Sequence, residues 1–382
     1  MSLERAAAFN PAWRRDKSLA FDLDLNSTAR GTRELDLFGR RVRIYANANL
    51  SIYSAQRCNA RCTFCVEELR PASRGGALSR QKAIESSDAA WFDRLEDVLE
   101  QLAPLSPSVS ITGGEASKDP RLPRLLALLA ARRAQKRVLT TNGSGLLDLR
   151  DGRRVIDWIA LHGLEHLNLS IAHPSAALNA RLMRFPDSPS TDALQTIVRV
   201  AHAAGVRVRL SCVLLRDGIR DVAGMRSYLD FAASLDIDNV IFRQLMRTDP
   251  STHAKNQVVR YSDQNRVVLE PLLDELSTAA DFAFVKQVVG YYYYVEVWRR
   301  DDVDVVFEEA DLAQLERIKR RDPGTIHELV FHPNAALAAT WQPWDGVLSP
   351  PPATRTHGTG ADEKHPKAAA LADGLQETLH RG

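Results

Sequence analysis

The chain has 382 residues, 45% of them hydrophobic and 26% charged, with a formal net charge of +2. That is enough apolar material for a real core, and the near-balance of charge leaves no electrostatic footprint for nucleic acid or a membrane surface. No run of about 18 apolar residues occurs, and four cysteines, three of them crowded into one short stretch, exclude a disulfide framework.

In chain order, residues 1–36 read as an irregular arm with no apolar core of signal-peptide length. Free thiols and no export signal make the cytoplasm the expected compartment. Residues 37–43, around Phe38-Gly39, read as a short strand with a turn. Residues 46–54 alternate and form the first core strand. It runs straight into the cysteines, and the loop then continues to about residue 80 with Gly75-Gly76 as a flexible point. Ser87 caps a predicted helix over 88–102. The pattern then repeats as strand and helix: strands at 108–112, 137–141, 166–172, 206–214 and 239–244, helices at 119–134, 154–162, 191–204 and 221–235. Gly163 and Gly205 are placed to end two of these helices.

Six strand–helix units in alternation predict parallel α/β architecture, a partial (β/α)6 TIM-like barrel. Beyond a polar loop at 247–260, Ser262 is expected to cap a helix to about 279. Residues 282–289, 291–298 and 303–307 are β-rich, with a turn at 299–302. A charged helix follows at 311–321, then a hairpin over 328–341 around Asn334. The organisation expected is therefore an arm and short strand (1–45), a barrel core (46–281), a C-terminal mixed α/β extension on the substrate side (282–348) and a disordered tail (349–382) with a weak helix at 368–379.

The chemistry concentrates in Arg57-Cys-Asn-Ala-Arg-Cys-Thr-Phe-Cys65, where Cys58, Cys62 and Cys65 are spaced C-x3-C-x2-C. Thiolates favour zinc, copper(I) or iron–sulfur. A structural zinc site usually takes four ligands in pairs. Here there are three, and the next candidates, His162 and Cys212, lie far along the chain. A cluster held by three thiolates fits that local count better than zinc. Cys212, next to Ser211 on a strand, reads as a buried core cysteine.

The spacing resembles the signature of the radical S-adenosylmethionine (SAM) enzymes. The resemblance is strengthened by Thr112-Gly113-Gly114-Glu115, one strand–helix unit later, which is similar to the family's GGE segment. It implies that Cys58, Cys62 and Cys65 hold a [4Fe-4S] cluster whose fourth iron is open to SAM. Gly113, Gly114 and Glu115 would meet the methionine amino group, since an ammonium wants carbonyls and a carboxylate, and glycine allows close approach. Phe64 would lie near the adenine. Further SAM contacts are expected at the strand ends: Asn142 beside Thr141, Ser170 beside Asn168, Ser211, and Arg243-Gln244. Arg181 or Arg184 would pair with the SAM carboxylate.

The reaction implied is reductive cleavage of SAM to methionine and a 5′-deoxyadenosyl radical, which abstracts hydrogen from a substrate. An electron donor such as flavodoxin or ferredoxin is the implied partner. No cysteines follow Cys212, so no auxiliary cluster is expected, a departure from the family's peptide-modifying and molybdopterin-precursor branches. The substrate expected is a small polar metabolite: a nucleoside, sugar or amino-acid derivative. The alternatives are a peptide or protein side chain, which an edge strand before residue 46 would favour, and a non-catalytic iron–sulfur sensor, which would not need the GGE segment. The tyrosines Tyr291 to Tyr294 would place two phenols on each face of a strand.

Overall fold

The computed structural model describes residues 9–17, 31–54, 57–69, 86–247 and 256–351. The loop at 70–85 with Gly75-Gly76, and the tail from 352 with its expected helix, lie outside these residues.

Two strands open the fold, β1 (Thr32–Leu37) and β2 (Arg40–Tyr45), a hairpin that turns at Phe38-Gly39 with both residues at positive φ. The core strands then come in sequence: β3 (Asn49–Tyr53), β4 (Ser108–Thr112) and β5 (Arg137–Thr141). A two-residue hairpin, β6 (Leu149–Arg150) with β7 (Arg153–Arg154), interrupts them. β8 (His166–Ser170), β9 (Arg207–Leu214) and β10 (Asn239–Gln244) follow. The last part supplies β11 (Ala283–Val289), β12 (Tyr293–Arg300), β13 (Val303–Ala310), β14 (Thr325–Ile326), β15 (Leu329–Phe331), β16 (Leu337–Ala338) and β17 (Val347–Ser349).

Twelve of these strands make one sheet, in the order β11-β12-β13-β10-β9-β8-β5-β4-β3-β15-β16-β17. The six expected core strands lie side by side and parallel, as six strand–helix crossovers require. This is the partial TIM-type barrel. Residues 282–348 are not a separate layer. β13 joins β10 in parallel on one edge and β15 joins β3 in parallel on the other, so eight consecutive strands run the same way. β12 and β11 on one side and β16 and β17 on the other add antiparallel pairings outside them, while β14 joins β2 in parallel in a separate three-stranded sheet.

The helices lie where local signals put them. Ser87 Oγ accepts from the Ala90 N–H and opens Asp88–Gln101, whose Trp91, Phe92, Leu95 and Val98 face the sheet. Asp221 caps Val222–Ser234 in the same way. Gly163, at φ 72°, ends Val155–His162. No helix among the described residues is long and apolar enough to cross a membrane.

Several expectations are corrected. The arm contains a short helix, Pro11–Arg15, capped by Asn10. Ser262 caps nothing: it is buried inside Gln257–Asn265, which Asn256 caps, and a second helix runs Leu269–Leu276. The break falls at Arg266, whose guanidinium donates to the Leu245 and Met246 carbonyls, while Gln244 Oε1 receives the Leu269 N–H at 2.8 Å. The end of β10 thus holds the two helices apart. The helix Ala176–Met183 was not expected at all. The strand expected from 291 begins at Tyr293, because the Gly290 N–H donates to the Tyr293 carbonyl and places Tyr291 and Tyr292 in the turn. Ser349, expected in the tail, ends β17 and pairs with Leu337.

Candidate functional site

The cysteine loop leaves the end of β3 and is pinned from two sides. Asn59 accepts from Asn142 Nδ2 at 2.9 Å and donates to Ser144 Oγ at 3.1 Å, which ties the loop to the end of β5. On the other side the Arg61 and Thr63 amides donate to the Met183 and Leu182 carbonyls of helix Ala176–Met183. Ala60 and Phe64 complete a small apolar cluster with Leu182, Met183, Phe185, Leu215 and Leu245. The last carbonyls of this unexpected helix therefore fix the cysteine loop in place.

Cys58 is exposed, and Cys62 and Cys65 are half-buried. Burial pushes the Cys62 thiol up, and the neighbouring Cys65 and Cys58 sulfurs add to the rise. Burial raises Cys58 as well. The three sulfurs are thus electrostatic neighbours whose joint ionisation calls for a cation. Among the described residues, no three His, Cys, Asp or Glu side chains converge as ligands of a single metal ion. Soft thiolates that are neighbours suit an iron–sulfur cluster.

Just past the end of β4, Gly113 and Gly114 hold positive φ, 82° and 41°. A Cβ on Gly113 would sit 2.6 Å from the Tyr53 ring, so that ring fills the space beneath the glycine. Glu115 behaves differently from the expectation that its carboxylate meets SAM. It is 2% exposed and its oxygens are engaged by the Ser117 amide and hydroxyl, Thr141 Oγ1 and the Asn142 amide. It clasps the end of β4 to the end of β5.

The concave side of the sheet encloses a cavity of about 1110 Å³. Cys62, Phe64 and Cys65 line it, and so do Ser170 and Ser211 from β8 and β9. Ser211 accepts from Arg243 Nη1 at 2.9 Å, and Arg243 Nε donates to Glu308 of β13 at 2.9 Å. Asn142 reaches the cysteine loop rather than the cavity wall. Arg181 and Arg184 are exposed on helix Ala176–Met183 and its cap and do not line the cavity; the arginine that does is Arg243. Cys212 faces away, fully buried in the core.

The extension, expected on the substrate side, adds walls to the cavity. Tyr291, 4% exposed, packs against Tyr45 at 4.7 Å and His327 at 5.2 Å between ring centres, and donates to the His327 carbonyl at 3.3 Å. Tyr292 and Tyr293 also line the cavity, whereas Tyr294 is on the opposite face of β12 and bonds Glu296. His327 carries no pattern in the sequence that could have marked it, since it lies outside the periodic segments. His332 is fully buried, its Nε2 3.2 Å from the Thr340 carbonyl.

Residues 52–227 match the Radical SAM superfamily. The chain is 24% identical over 242 residues to GTP 3′,8-cyclase 2 of Pseudomonas aeruginosa, covering 63% of this chain and 65% of that one. It is 31% identical over 183 residues to GTP 3′,8-cyclase of Mycolicibacterium smegmatis, covering 47% and 44%. The match thus spans less than two thirds of the length of these curated relatives. Among solved structures, Streptococcus suis SuiB bound to S-adenosylmethionine overlays with a TM-score of 0.46 at 16% identity, covering 78% of this chain and 61% of that one. Cys58, Cys62, Cys65 and the Gly113-Gly114-Glu115 turn all lie inside residues 52–227, the segment that belongs to the Radical SAM superfamily, whose members use a [4Fe-4S] cluster and SAM.

Proposed function

We propose that this chain is a radical SAM enzyme acting on a small polar molecule. One observation carries the reading: a single cavity begins at Cys62 and Cys65 and continues along the polar inner face of the sheet to the extension. Cys58, Cys62 and Cys65 would hold the cluster. The Gly113–Gly114 backbone would take the SAM amino group, with Phe64, Ser170 and Ser211 along the rest of SAM. When bound, the cluster supplies the electron that splits the carbon–sulfur bond of SAM and so provides a hydrogen-abstracting radical. The chain itself must hold SAM and substrate in one orientation and keep water out. The enclosure of Tyr291 between Tyr45 and His327 supports that second role. That the curated relatives are named for a nucleotide, GTP, supports a small-molecule substrate.

A second reading, modification of a peptide, draws support from β1, which pairs only with β2 in a three-stranded sheet and leaves one edge without a strand among the described residues. That edge is charged, with Arg33, Glu34 and Asp36, and charges of this kind guard an edge against pairing. The small-molecule reading is therefore preferred.

Anaerobic reconstitution followed by SAM and dithionite tests the proposal. The expected result is about four irons per chain and release of 5′-deoxyadenosine, with none from Cys62→Ala. Zinc in place of iron, or no 5′-deoxyadenosine from an iron-loaded chain, would overturn it.

A further inference from the structure

At about 1110 Å³ the cavity exceeds what one bound small molecule usually occupies, so it has room for a substrate beside SAM. Two residues on its wall are not among those assigned above to the cluster or SAM. His327, between β14 and β15, is 6% exposed and lines the cavity, yet neither ring nitrogen has a hydrogen-bond partner among the described residues. A buried polar group left in that state burdens the fold unless a ligand satisfies it. Burial also lowers the proton affinity of this ring, so it stays neutral. Lys286, half-buried on β11, lines the same cavity and has no ion pair among the described residues. The carboxylates on that wall are committed elsewhere: Glu308 to Arg243 at 2.9 Å, and Glu328 to Lys319 at 2.6 Å and to Trp341 Nε1 at 2.9 Å.

We propose that His327 and Lys286 form a substrate-recognition subsite for a sugar-sized, hydroxylated anion. The subsite rests on the small-molecule reading and narrows it. A neutral imidazole offers one donor and one acceptor that point apart, and a hydroxyl, which both donates and accepts, can pair with either of them. The Lys286 ammonium takes the carboxylate or phosphate of the same molecule. Tyr292 and Tyr293, edge to face with ring centres 5.6 Å apart, add an aromatic wall against which the C–H face of a sugar ring can lie. In this arrangement His327 orients the ring and Lys286 selects its charge.

The test is binding, read without a reductant so that no chemistry occurs. The full chain, loaded with cluster and SAM, is titrated by saturation-transfer difference NMR with D-glucuronate, D-glucose 6-phosphate and the neutral methyl α-D-glucoside. At least one anion is expected to bind, with the neutral glycoside about tenfold weaker, a difference of about 1.4 kcal/mol. The two anion arms tell carboxylate from phosphate. Lys286→Ala should erase the preference for the anion and Lys286→Arg should keep it. His327→Ala should weaken the bound anion about tenfold, and His327→Gln, which retains a donor and an acceptor, should lose less. If His327→Ala does not fold, His327→Gln and the two Lys286 variants decide. The subsite is refuted if neither anion binds, or if the Ala variants bind like the parent. Release of 5′-deoxyadenosine by the unmodified chain, measured separately with dithionite and no probe, tests the parent reading. A chain that cleaves SAM but binds neither anion loses the subsite alone.

Discussion

Gly113 and Gly205 share a backbone state but not a neighbourhood. Both lie in the left-handed region, at φ 82° and 73°, yet a Cβ on Gly205 would meet nothing within 4 Å, whereas one on Gly113 would strike the Tyr53 ring. Tyr53 cannot withdraw easily: it is 6% exposed and its hydroxyl reaches Glu67 at 3.3 Å. Gly205→Ala should therefore cost the conformational penalty alone, about 1–2 kcal/mol in urea unfolding. Gly113→Ala should cost more than that and also lose SAM binding, which Gly205→Ala should retain. Equal unfolding midpoints for the two variants would show that the ring is free to move. A different residue-scale effect comes from His166, at the start of β8. Burial first, then Lys136, Arg209 and Arg207, hold its pKa down to about 3 from an ordinary 6.5. Between those values the unfolded chain takes up a proton that the folded chain refuses. Stability is therefore lost as pH falls through 6.5, and the loss continues to about 3. His166→Asn should remove that contribution. Between pH 7.5 and 5.0 its urea midpoint is expected to drop less than that of the parent, and parallel curves would count against the assignment.

At the scale of elements, the outward face of β12 shows what a local reading can and cannot reach. Tyr294, Glu296 and Trp298 are buried on that face, and the helix Pro11–Arg15 supplies the cover. Arg14 donates from Nε and Nη2 to the two oxygens of Glu296, both at 2.7 Å, while Tyr294 Oη and Trp298 Nε1 donate to the same carboxylate. Asn10 exchanges backbone bonds with the Gln287 side chain. The cap at Ser87, the stop at Gly163 and the core strands were legible because their signals lie within a few residues of the structure they make. The clamp was not, because Arg14 and Glu296 are 282 positions apart and an arginine in a polar arm announces no partner. The same limit explains Glu115, whose residue type was recognised but whose oxygens turned out to be engaged by the end of β5. With side-chain exposures of 5% and 0%, the Arg14–Glu296 pair is one in which removing a single partner strands a charge. Arg14→Ala should lower stability by about 3–5 kcal/mol in urea unfolding. Combining it with Glu296→Gln should recover part of the loss. Recovery of nothing would mean that packing by the arginine stem, rather than the charge, holds the arm.

Across the whole molecule, the extension closes what six strands leave open. Most of its longer segments were legible as strands from their β-rich composition, but not their destination, since joining β13 to β10 and β15 to β3 is a choice of register between distant parts of the chain. The consequence is that the β11–β12 turn, on one flank of the sheet, meets β2 and the approach to β15 on the other. Tyr291 makes that junction, with its ring against Tyr45 and His327 and its hydroxyl on the His327 carbonyl. If the two flanks hold each other in place, a change at this ring must loosen both. Tyr291→Ala removes a large buried aromatic and should cost about 3–5 kcal/mol. In native-state hydrogen exchange it should raise amide exchange in Tyr293–Arg300 and also in Leu329–Phe331, although these segments do not pair with each other. Tyr291→Phe keeps both ring contacts and gives up one hydrogen bond, so its cost should be only about 0.5–1.5 kcal/mol with little change in exchange. Faster exchange confined to the hairpin would mean that the flanks stand independently and that the lateral side of the cavity is closed by contact alone, without mechanical coupling across it.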